Sequence, residues 1–379
     1  MISEPRATAI NAEMPERKPS ERVEGYDLAR ALAYFGMVFV HFRICVSAKD
    51  AGPTWLGAMV DQLDGRAAAT FVTLAGVGMS LMARPSITAG DRAELAKVRL
   101  ELLRRAAFLF VLGLLYFEIW PADILHCYGV YLAIGTLLLT ADSRALWSMA
   151  VGFVLAYLPL IVMFDYSEGW DWSTLSYRGF WTPTGLLRNL FFNGFNPVIP
   201  WTAFLLLGIA LGRLDLLDLR VRRRVVGAGL GAAILGEALS RILLHYVRTS
   251  LDQTMDAEET QAMFGTEPMP PLPLFMIVAA GVAHAVIGLS VAAAERWKGA
   301  LWLSALVRTG RMAFTLYVAH VVIGLGTLEG LGWLQRGSVT LAVASAAVFC
   351  LVSVIFAVVW SRHFPRGPLE WVMRRIAAN

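Results

Sequence analysis

Long apolar segments dominate the sequence, and they constrain its fold more than any other feature. An α-helix needs roughly 20 apolar residues to cross the hydrocarbon core of a bilayer. Ten candidate runs of this kind can be traced, and they leave no stretch for a separate soluble domain. The sequence therefore predicts an all-α fold, a polytopic transmembrane helical bundle with about ten spans. The runs lie near residues 27–47, 66–83, 103–120, 124–140, 145–164, 198–213, 225–246, 272–294, 312–328 and 339–360.

Composition excludes the main alternatives. Of the 379 residues, 57% are hydrophobic and only 16% are charged, whereas about 25% are charged in soluble domains. The mean hydropathy is +0.58, which argues against a soluble enzyme, a disordered chain or a disulfide-stapled secreted domain. Cys45, Cys127 and Cys350 are too few and too scattered for a disulfide framework or a zinc site. The net charge of only +4 argues against nucleic acid as a partner.

Basic residues predict the orientation of the spans. They cluster after the second, sixth, eighth and last runs, while the connections between are acidic and aromatic. With ten spans, all four basic segments fall on one side, and the excess of Lys and Arg in cytoplasmic loops places both termini in the cytoplasm. We expect a mobile cytoplasmic tail at 1–22, a transmembrane domain at 23–362 and a basic cytoplasmic tail at 363–379.

The first span carries ionisable residues on one face. Asp27 and Arg30 are three residues apart and can pair, and His41 lies eleven residues after Arg30. At about 100° and 1.5 Å per residue, eleven residues return to nearly the same face about 16 Å further along the axis. Tyr34 falls on the same stripe. A charge at bilayer depth costs about 2.5–3.5 kcal/mol, so we interpret the aligned set as functional. The alternative is two interfacial anchors and a packed core histidine.

A second polar group is expected at the outer ends of the following spans. Asp123 and His126 have the spacing of three residues that lets them meet on a helix. A carboxylate on one ring nitrogen would fix the tautomer that leaves the other as a base. Asp64 precedes the second span. In a bundle, these side chains line an extracytoplasmic mouth near His41, the alternative being an ordinary solvated rim.

The ninth run repeats the polar pattern in shorter form. Arg311 lies at its cytoplasmic edge, and Tyr317 and His320 lie further in. The distance from Arg311 to His320 is about 13 Å along a helix axis. In the seventh run, Glu237 and Arg241 are four residues apart, and we expect them to neutralise one another.

These residues suggest a family. The first span resembles the signature of integral-membrane acyltransferases, in which an Asp is followed by Arg-Ala-Leu and ten residues separate that Arg from a His, here Arg30 and His41. GRMAFTLYVAH (310–320) is similar to a late helix of the same superfamily. The similarity is stronger to the branch that contains heparan-α-glucosaminide N-acetyltransferase and its bacterial inner-membrane relatives. It is carried by FVTLAGVGMSLMAR (71–84), LLRRAAFLFVLGLLY (102–116), WPADILHCYGVYLA (120–133) and PWTAFLLLGIALGRL (200–214).

The resemblance implies transfer of an acyl group, expected to be acetyl, from cytoplasmic acyl-CoA to a sugar hydroxyl or amine on the far face of the membrane. A basic cytoplasmic entrance suits the phosphates of CoA, because guanidinium groups bind phosphate bidentately. The predicted donor-binding residues are Arg30, Arg104, Arg105, Arg311, Tyr317 and His320.

The same resemblance implies the catalytic residues. His41 is expected to act as general base on the acceptor or as a transient acyl carrier. Asp123 with His126, or Asp64, is expected to orient that base or to hold the sugar. The human-type enzyme has its catalytic histidine between its first two similar helices, whereas the corresponding stretch here, 47–64, contains no histidine. The acyl-histidine mechanism is therefore not carried over.

Two other functions fit the intramembrane charges. A transporter or flippase for a small anionic or lipid-linked solute would use the same Arg and His residues as a binding and proton path. A membrane scaffold or sensor would have no need for them. We favour the enzyme, with acetyl-CoA or another acyl-CoA as donor, no metal, and membrane lipids and a glycan or glycolipid acceptor as partners. The expected location is the bacterial cytoplasmic (inner) membrane, and homo-oligomerisation is left open.

Overall fold

A computed structural model describes residues 22–47, 52–250 and 256–378. Within these ranges the chain is nearly all-α. A two-stranded antiparallel hairpin, β1 (Trp170–Asp171) with β2 (Ser176–Tyr177), lies between α6 and α7. Two π-helical segments, Asn189–Asn193 and His320–Leu325, follow α7 and α13. The helices are α1 (Glu24–Val46), α2 (Thr54–Asp61), α3 (Arg66–Ala89), α4 (Arg92–Tyr116), α5 (Leu125–Leu137), α6 (Ser143–Met163), α7 (Pro183–Arg188), α8 (Val198–Leu211), α9 (Leu219–Ser250), α10 (Ala257–Phe264), α11 (Pro273–Arg296), α12 (Leu301–Arg311), α13 (Ala313–Ala319), α14 (Gly326–Gly330), α15 (Val339–Trp360) and α16 (Pro368–Ala378).

Local sequence signals set several helix ends. Asp91, Asp142 and Ser338 precede α4, α6 and α15, and each side chain accepts a hydrogen bond from the backbone N–H three residues later. Such caps satisfy one of the four N–H groups that every helix start leaves unpaired. Gly90 ends α3 with φ +68°, a left-handed conformation that glycine adopts without a Cβ penalty.

The ten apolar runs coincide with helical segments, of which 312–328 covers α13, the second π-helical segment and part of α14, but the count of ten spans is not confirmed. In the described part of the chain, α4 is charged along its first half, and α5 has only 13 residues. The bent pair of Pro183–Asn193 and Val198–Leu211, at 49°, makes an eighth span if it is counted as one. The cytoplasmic placement of both termini stays a prediction. The seven helical stretches long and apolar enough to cross a membrane are Glu24–Val46, Thr54–Ala89, Ser143–Met163, Leu219–Thr249, Pro273–Arg296, Ala313–Gly330 and Val339–Trp360.

One predicted ion pair is wrong. Glu237 does not pair with Arg241; it accepts hydrogen bonds from Arg66 at 2.5 Å and from Thr266 at 2.8 Å. Arg66 is only 6% exposed, whereas Arg241 is exposed. A buried guanidinium loses far more free energy without a counter-charge than an exposed one does, so the carboxylate pairs across helices instead of along α9.

Small residues bring the central helices into backbone contact. At the crossing of α3 and α8, a Cβ on Gly76 would overlap the backbone of α8 near Leu205, and a Cβ on Gly208 would overlap the carbonyl of Thr73. Such close approach is typical of membrane helix pairs, where packing contacts replace the hydrophobic effect as the source of association. Of the two helices, α3 also lines the large cavity described below, through Leu74, Ala75, Gly78 and Met79.

We expect Gly208→Val to destabilise the bundle. The added side chain would push α8 away from α3, and overpacking of this kind costs about 1–3 kcal/mol or more. Thermal unfolding in detergent, followed by size-exclusion chromatography, measures the effect. Gly152→Val in α6 is the matched control, because nothing lies within 4 Å of its Cβ position. Equal melting temperatures for the two variants would contradict the packing argument.

Candidate active site

A break between α12 and α13 positions three of the predicted residues. Met312 has φ −114° and ψ 17°, so the helix that ends at Arg311 does not continue into α13. Gly310 lies directly against the carbonyl of Asp27 in α1, where a Cβ would overlap it. Beyond the break, α13 and the following π-helical segment carry Tyr317 and His320 into the protein interior, and both are buried.

The carboxylate of Asp27 binds three arginines. Its Oδ1 accepts from Arg30 at 2.6 Å and from Arg22 at 2.8 Å, and its Oδ2 accepts from Arg22 at 2.7 Å and from Arg311 at 3.3 Å. The predicted pair of Asp27 and Arg30 is confirmed. Asp27 is only 1% exposed, and its three cations come from the chain before α1, from α1 and from the end of α12. The cluster therefore holds the end of α12, directly before the break, against α1.

A cavity of about 910 Å³, here called the large cavity, opens beside this cluster. Its walls are mainly apolar, and the arginines that line it are exposed or partly exposed. Tyr317 and Ile124 line its inner part. The arginines that line it are Arg22, Arg30, Arg84, Arg105 and Arg311.

Four of the six predicted donor-binding residues, Arg30, Arg105, Arg311 and Tyr317, line the large cavity. Arg104 does not line it, because its Nη1 donates to the carbonyl of Ala377 in α16 at 3.4 Å. His320 lies elsewhere too, against His41.

Sequence reasoning missed two arginines of the large cavity. Arg22 belongs to the segment assigned to the mobile tail, and Arg84 was identified only as the last residue of the motif FVTLAGVGMSLMAR (71–84). Arg84 forms no ion pair among the described residues, whereas Arg22 is bound to Asp27. Nothing in the local sequence of Arg84 separates it from other loop arginines, because its role depends on the cavity beside it.

A histidine pair lies at the centre of the bundle. The Nδ1 of His41 and the Nε2 of His320 are 2.7 Å apart, and the rings stack with centroids 5.0 Å apart. The Nδ1 of His320 hydrogen-bonds to the carbonyl oxygen of Tyr317. Because a carbonyl can only accept, His320 carries its proton on Nδ1, and in a neutral ring its Nε2 must then accept from His41. His41 is thereby held with its proton on Nδ1 and a free lone pair on Nε2.

A second, smaller pocket of about 60 Å³, here called the small pocket, is lined by His41 and Asp64. Phe195 and Asn196, which follow the first π-helical segment, form part of its wall together with Pro268. The predicted residues His41 and Asp64 therefore share one pocket. No group of three or more His, Cys, Asp or Glu side chains that could hold a metal occurs in the described ranges.

The two cavities share part of one wall, here called the partition. Met37 lines both of them. The connection between α4 and α5 contributes Ala122 to the small pocket and Ile124 to the large cavity. The partition is pinned by Asp123, whose Oδ1 accepts from the Tyr317 hydroxyl at 3.2 Å and whose Oδ2 accepts from the Leu125 backbone N–H at 2.7 Å.

The predicted pair of Asp123 and His126 is brought together, but not as a tight hydrogen bond. The Nδ1 of His126 lies 3.6 Å from Asp123 Oδ2, which is too long for one. Its Nε2 lies 3.4 Å from Asn189 in the first π-helical segment. Neither Asp123 nor His126 lines either cavity, so their contacts position the partition. Sequence reasoning missed Asn189, because its position depends on a π-helical segment that the local sequence does not predict.

The C-terminal helix α16 reaches the rim of the large cavity. Glu370 accepts from the backbone N–H groups of Phe314 and Thr315 at 2.9 and 3.1 Å and from the Thr315 hydroxyl at 2.5 Å. Burial raises the pKa of the Glu370 carboxyl, although these donors oppose the shift. Part of the predicted basic tail is therefore an ordered helix that caps α13.

Comparison with known families gives two matches. The family described as heparan-alpha-glucosaminide N-acetyltransferase, catalytic, matches residues 22–251, more than half of the chain. The chain belongs to this family. It is accordingly an integral membrane protein of acetyltransferase type. A family described as protein of unknown function (DUF418) matches residues 220–379. No curated protein matches the chain.

The candidate site draws on both matched regions. The acetyltransferase match contains Asp27, His41 and Asp123, whereas Tyr317 and His320 lie in the second match. The pair of His41 and His320 and the bond between Asp123 and Tyr317 thus join the two regions. The site belongs to the whole chain and not to the acetyltransferase match alone.

We expect Glu370→Ala to release α16 from the break between α12 and α13. Two backbone N–H groups and a hydroxyl would lose their acceptor, at a cost of about 1–3 kcal/mol. Limited proteolysis of the C-terminal segment, read beside the melting temperature, measures the release. Arg374→Ala on the exposed side of α16 is the control. Unchanged protease resistance of Glu370→Ala would show that other contacts hold the helix.

Proposed function

We propose that the protein transfers an acyl group, usually acetyl, from acyl-CoA in the large cavity to a sugar hydroxyl or amine in the small pocket. The observation that carries this proposal is the arrangement of two cavities on either side of one partition. Met37 is common to both, and the His41 side chain with an available Nε2 lies on the side of the small pocket. A donor and an acceptor bound in separate cavities would meet at this partition.

The large cavity suits an acyl-CoA donor. Guanidinium groups at its rim match phosphates, and the apolar walls match the uncharged pantetheine arm. The separation of about 16 Å between Arg30 and His41 along α1 is comparable to the reach of that arm. Arg84 is the rim arginine best placed to accept a new phosphate partner, since Asp27 already binds Arg22, Arg30 and Arg311.

The acceptor group would lose its proton to His41. Its oxygen or nitrogen attacks the thioester carbon while Nε2 of His41 takes the proton, and a tetrahedral oxyanion forms. The carbon–sulfur bond then breaks, the acyl group stays on the acceptor, and the CoA sulfur leaves with the proton that His41 had taken. His320 holds the base in the required tautomer through Nδ1 of His41. Asp64, in the same pocket, would hold the acceptor through its hydroxyl or amine.

We infer the orientation of the site from the basic loops. The rim arginines of the large cavity belong to segments that charge distribution assigns to the cytoplasm, where acyl-CoA is found. The small pocket would then open toward the opposite face, in a bacterial protein the outer face of the inner membrane. A glycan or glycolipid on that face is the acceptor that we propose.

The proposal is tested by following label from radiolabelled acetyl-CoA to a panel of amino sugars and glycolipids with purified protein in nanodiscs. We expect His41→Ala to lower the transfer rate by about 10²- to 10⁴-fold, the usual contribution of a general base. His284→Ala is the matched control, because this intramembrane histidine bonds to the carbonyl of Ala280 and lines neither cavity. Transfer by His41→Ala at the wild-type rate would remove His41 from the mechanism. Absence of both transfer and CoA binding in the wild type would favour the transporter.

Arg84→Ala tests the donor side separately. We expect the Kd for CoA to rise about tenfold, because a charge-assisted hydrogen bond to phosphate is lost. The affinity for pantetheine, which lacks the nucleotide and its phosphates, should not change. Arg144→Ala is the control, since Arg144 is exposed and lines neither cavity. An unchanged Kd for CoA in Arg84→Ala, measured by calorimetry, would contradict the proposed phosphate contact.

A further inference from the structure

Trp120 presents an unused hydrogen-bond donor next to the histidine pair. Its indole ring lies 5.0 Å from the His41 ring, centroid to centroid, at an interplanar angle of 53°. The residue is 5% exposed. Its Nε1 is buried and has no hydrogen-bond partner in the described part of the chain.

A buried donor without an acceptor is unfavourable. Leaving such a group unsatisfied costs about 1–3 kcal/mol, and a phenylalanine would fill most of the same space without that cost. Tryptophan N–H groups usually find a partner when they are buried. Unsatisfied groups of this kind call for a specific explanation, and here a ligand atom is the simplest acceptor.

The position of Trp120 identifies that ligand atom. Trp120 lies within the connection between α4 and α5 (117–124), which supplies Ala122 to the small pocket and Ile124 to the large cavity. Trp120 itself lines neither cavity, but its ring packs against His41, which lines the small pocket. The thioester carbonyl of a donor extended through the large cavity must reach the same place to be attacked by an acceptor in the small pocket.

We propose that the indole N–H of Trp120 binds the carbonyl oxygen of the acyl thioester and stabilises the oxyanion that forms on it. This inference rests on the proposed function. As the acceptor attacks, the carbonyl π electrons move to the oxygen, which Trp120 holds, while His41 takes the acceptor proton. When the carbon–sulfur bond breaks, the carbonyl re-forms, and the proton passes from His41 to the CoA sulfur. Trp120 exchanges no proton in the cycle.

The test compares Trp120→Phe with Trp201→Phe. Trp201 also has a buried Nε1 without a partner among the described residues, but it packs against Phe204 and Phe275. Loss of one oxyanion donor lowers kcat by about 10²- to 10³-fold. We expect this loss in Trp120→Phe, with the Kd for acetyl-CoA and the KM for the acceptor changed less than threefold, and a kcat near wild type in Trp201→Phe.

The outcomes separate the two proposals. If the wild type transfers acetyl and Trp120→Phe retains kcat within threefold, the role of Trp120 is wrong while the proposed function stands. If the wild type transfers nothing to any acceptor, the proposed function fails and this role fails with it. Equal losses of kcat in both variants would indicate a packing effect and overturn the inference.

Trp120→His keeps the test decisive if Trp120→Phe does not fold. Histidine retains a ring N–H on a smaller side chain, so we expect its kcat to be at least tenfold higher than that of Trp120→Phe. If Trp120→Phe does not fold, we expect Trp120→His to keep at least one tenth of the wild-type kcat. A folded Trp120→His that is more than 100-fold slower than wild type would contradict an N–H role.

Discussion

The hydrogen bond between His41 and His320 is the contact on which the rest of the site depends. It joins the first helix to the segment that carries His320, and it forms at 2.7 Å between a partly buried His41 and a fully buried His320. The carbonyl of Tyr317 takes the part that a carboxylate plays in many catalytic triads, because it fixes the proton on Nδ1 of His320. A neutral acceptor suits this depth, since a carboxylate here would carry the cost of a buried charge.

The charged residues of the large cavity show how the protein offsets the cost of burying a carboxylate. Asp27 is buried, but it is bound by Arg22, Arg30 and Arg311 at once. Glu24 also lies 4.0 Å from Arg311, so two carboxylates and three guanidinium groups leave the cluster with one net positive charge. The pairing satisfies the buried anion, and the excess charge remains available to attract an anionic ligand. The same arginines thus hold the buried carboxylate in place and supply the positive charge that attracts an anionic ligand.

Periodicity along single helices was enough to find much of the site. The spacing of Arg30 and His41 on α1 predicted that these side chains share a face. Arg311, Tyr317 and His320 in the ninth run were found as polar residues within an apolar segment. Contacts between helices could not be found this way. His41 and His320 are 279 residues apart in the sequence. Glu237 pairs with Arg66 and not with its helical neighbour Arg241. Arg104 binds the backbone near the end of α16 and does not line the large cavity. Each of these pairings depends on which side chains are buried against each other, and the spacing of residues along one helix does not give that information. The sequence likewise does not predict that the indole N–H of Trp120 lacks a hydrogen-bond partner among the described residues.

The partition between the cavities also bears on the choice between transfer and transport. A transporter needs its barrier to open, whereas the partition is held on both of its faces by hydrogen bonds. Asp123 binds Tyr317 and the backbone of Leu125, and His41 is tied to His320. Breaking these contacts would leave buried polar groups unpaired, at about 1–3 kcal/mol each. A reaction across a closed partition requires only that one acyl group, and not a whole solute, pass between Met37 and the histidine pair. The geometry therefore favours chemistry at the barrier over passage through it.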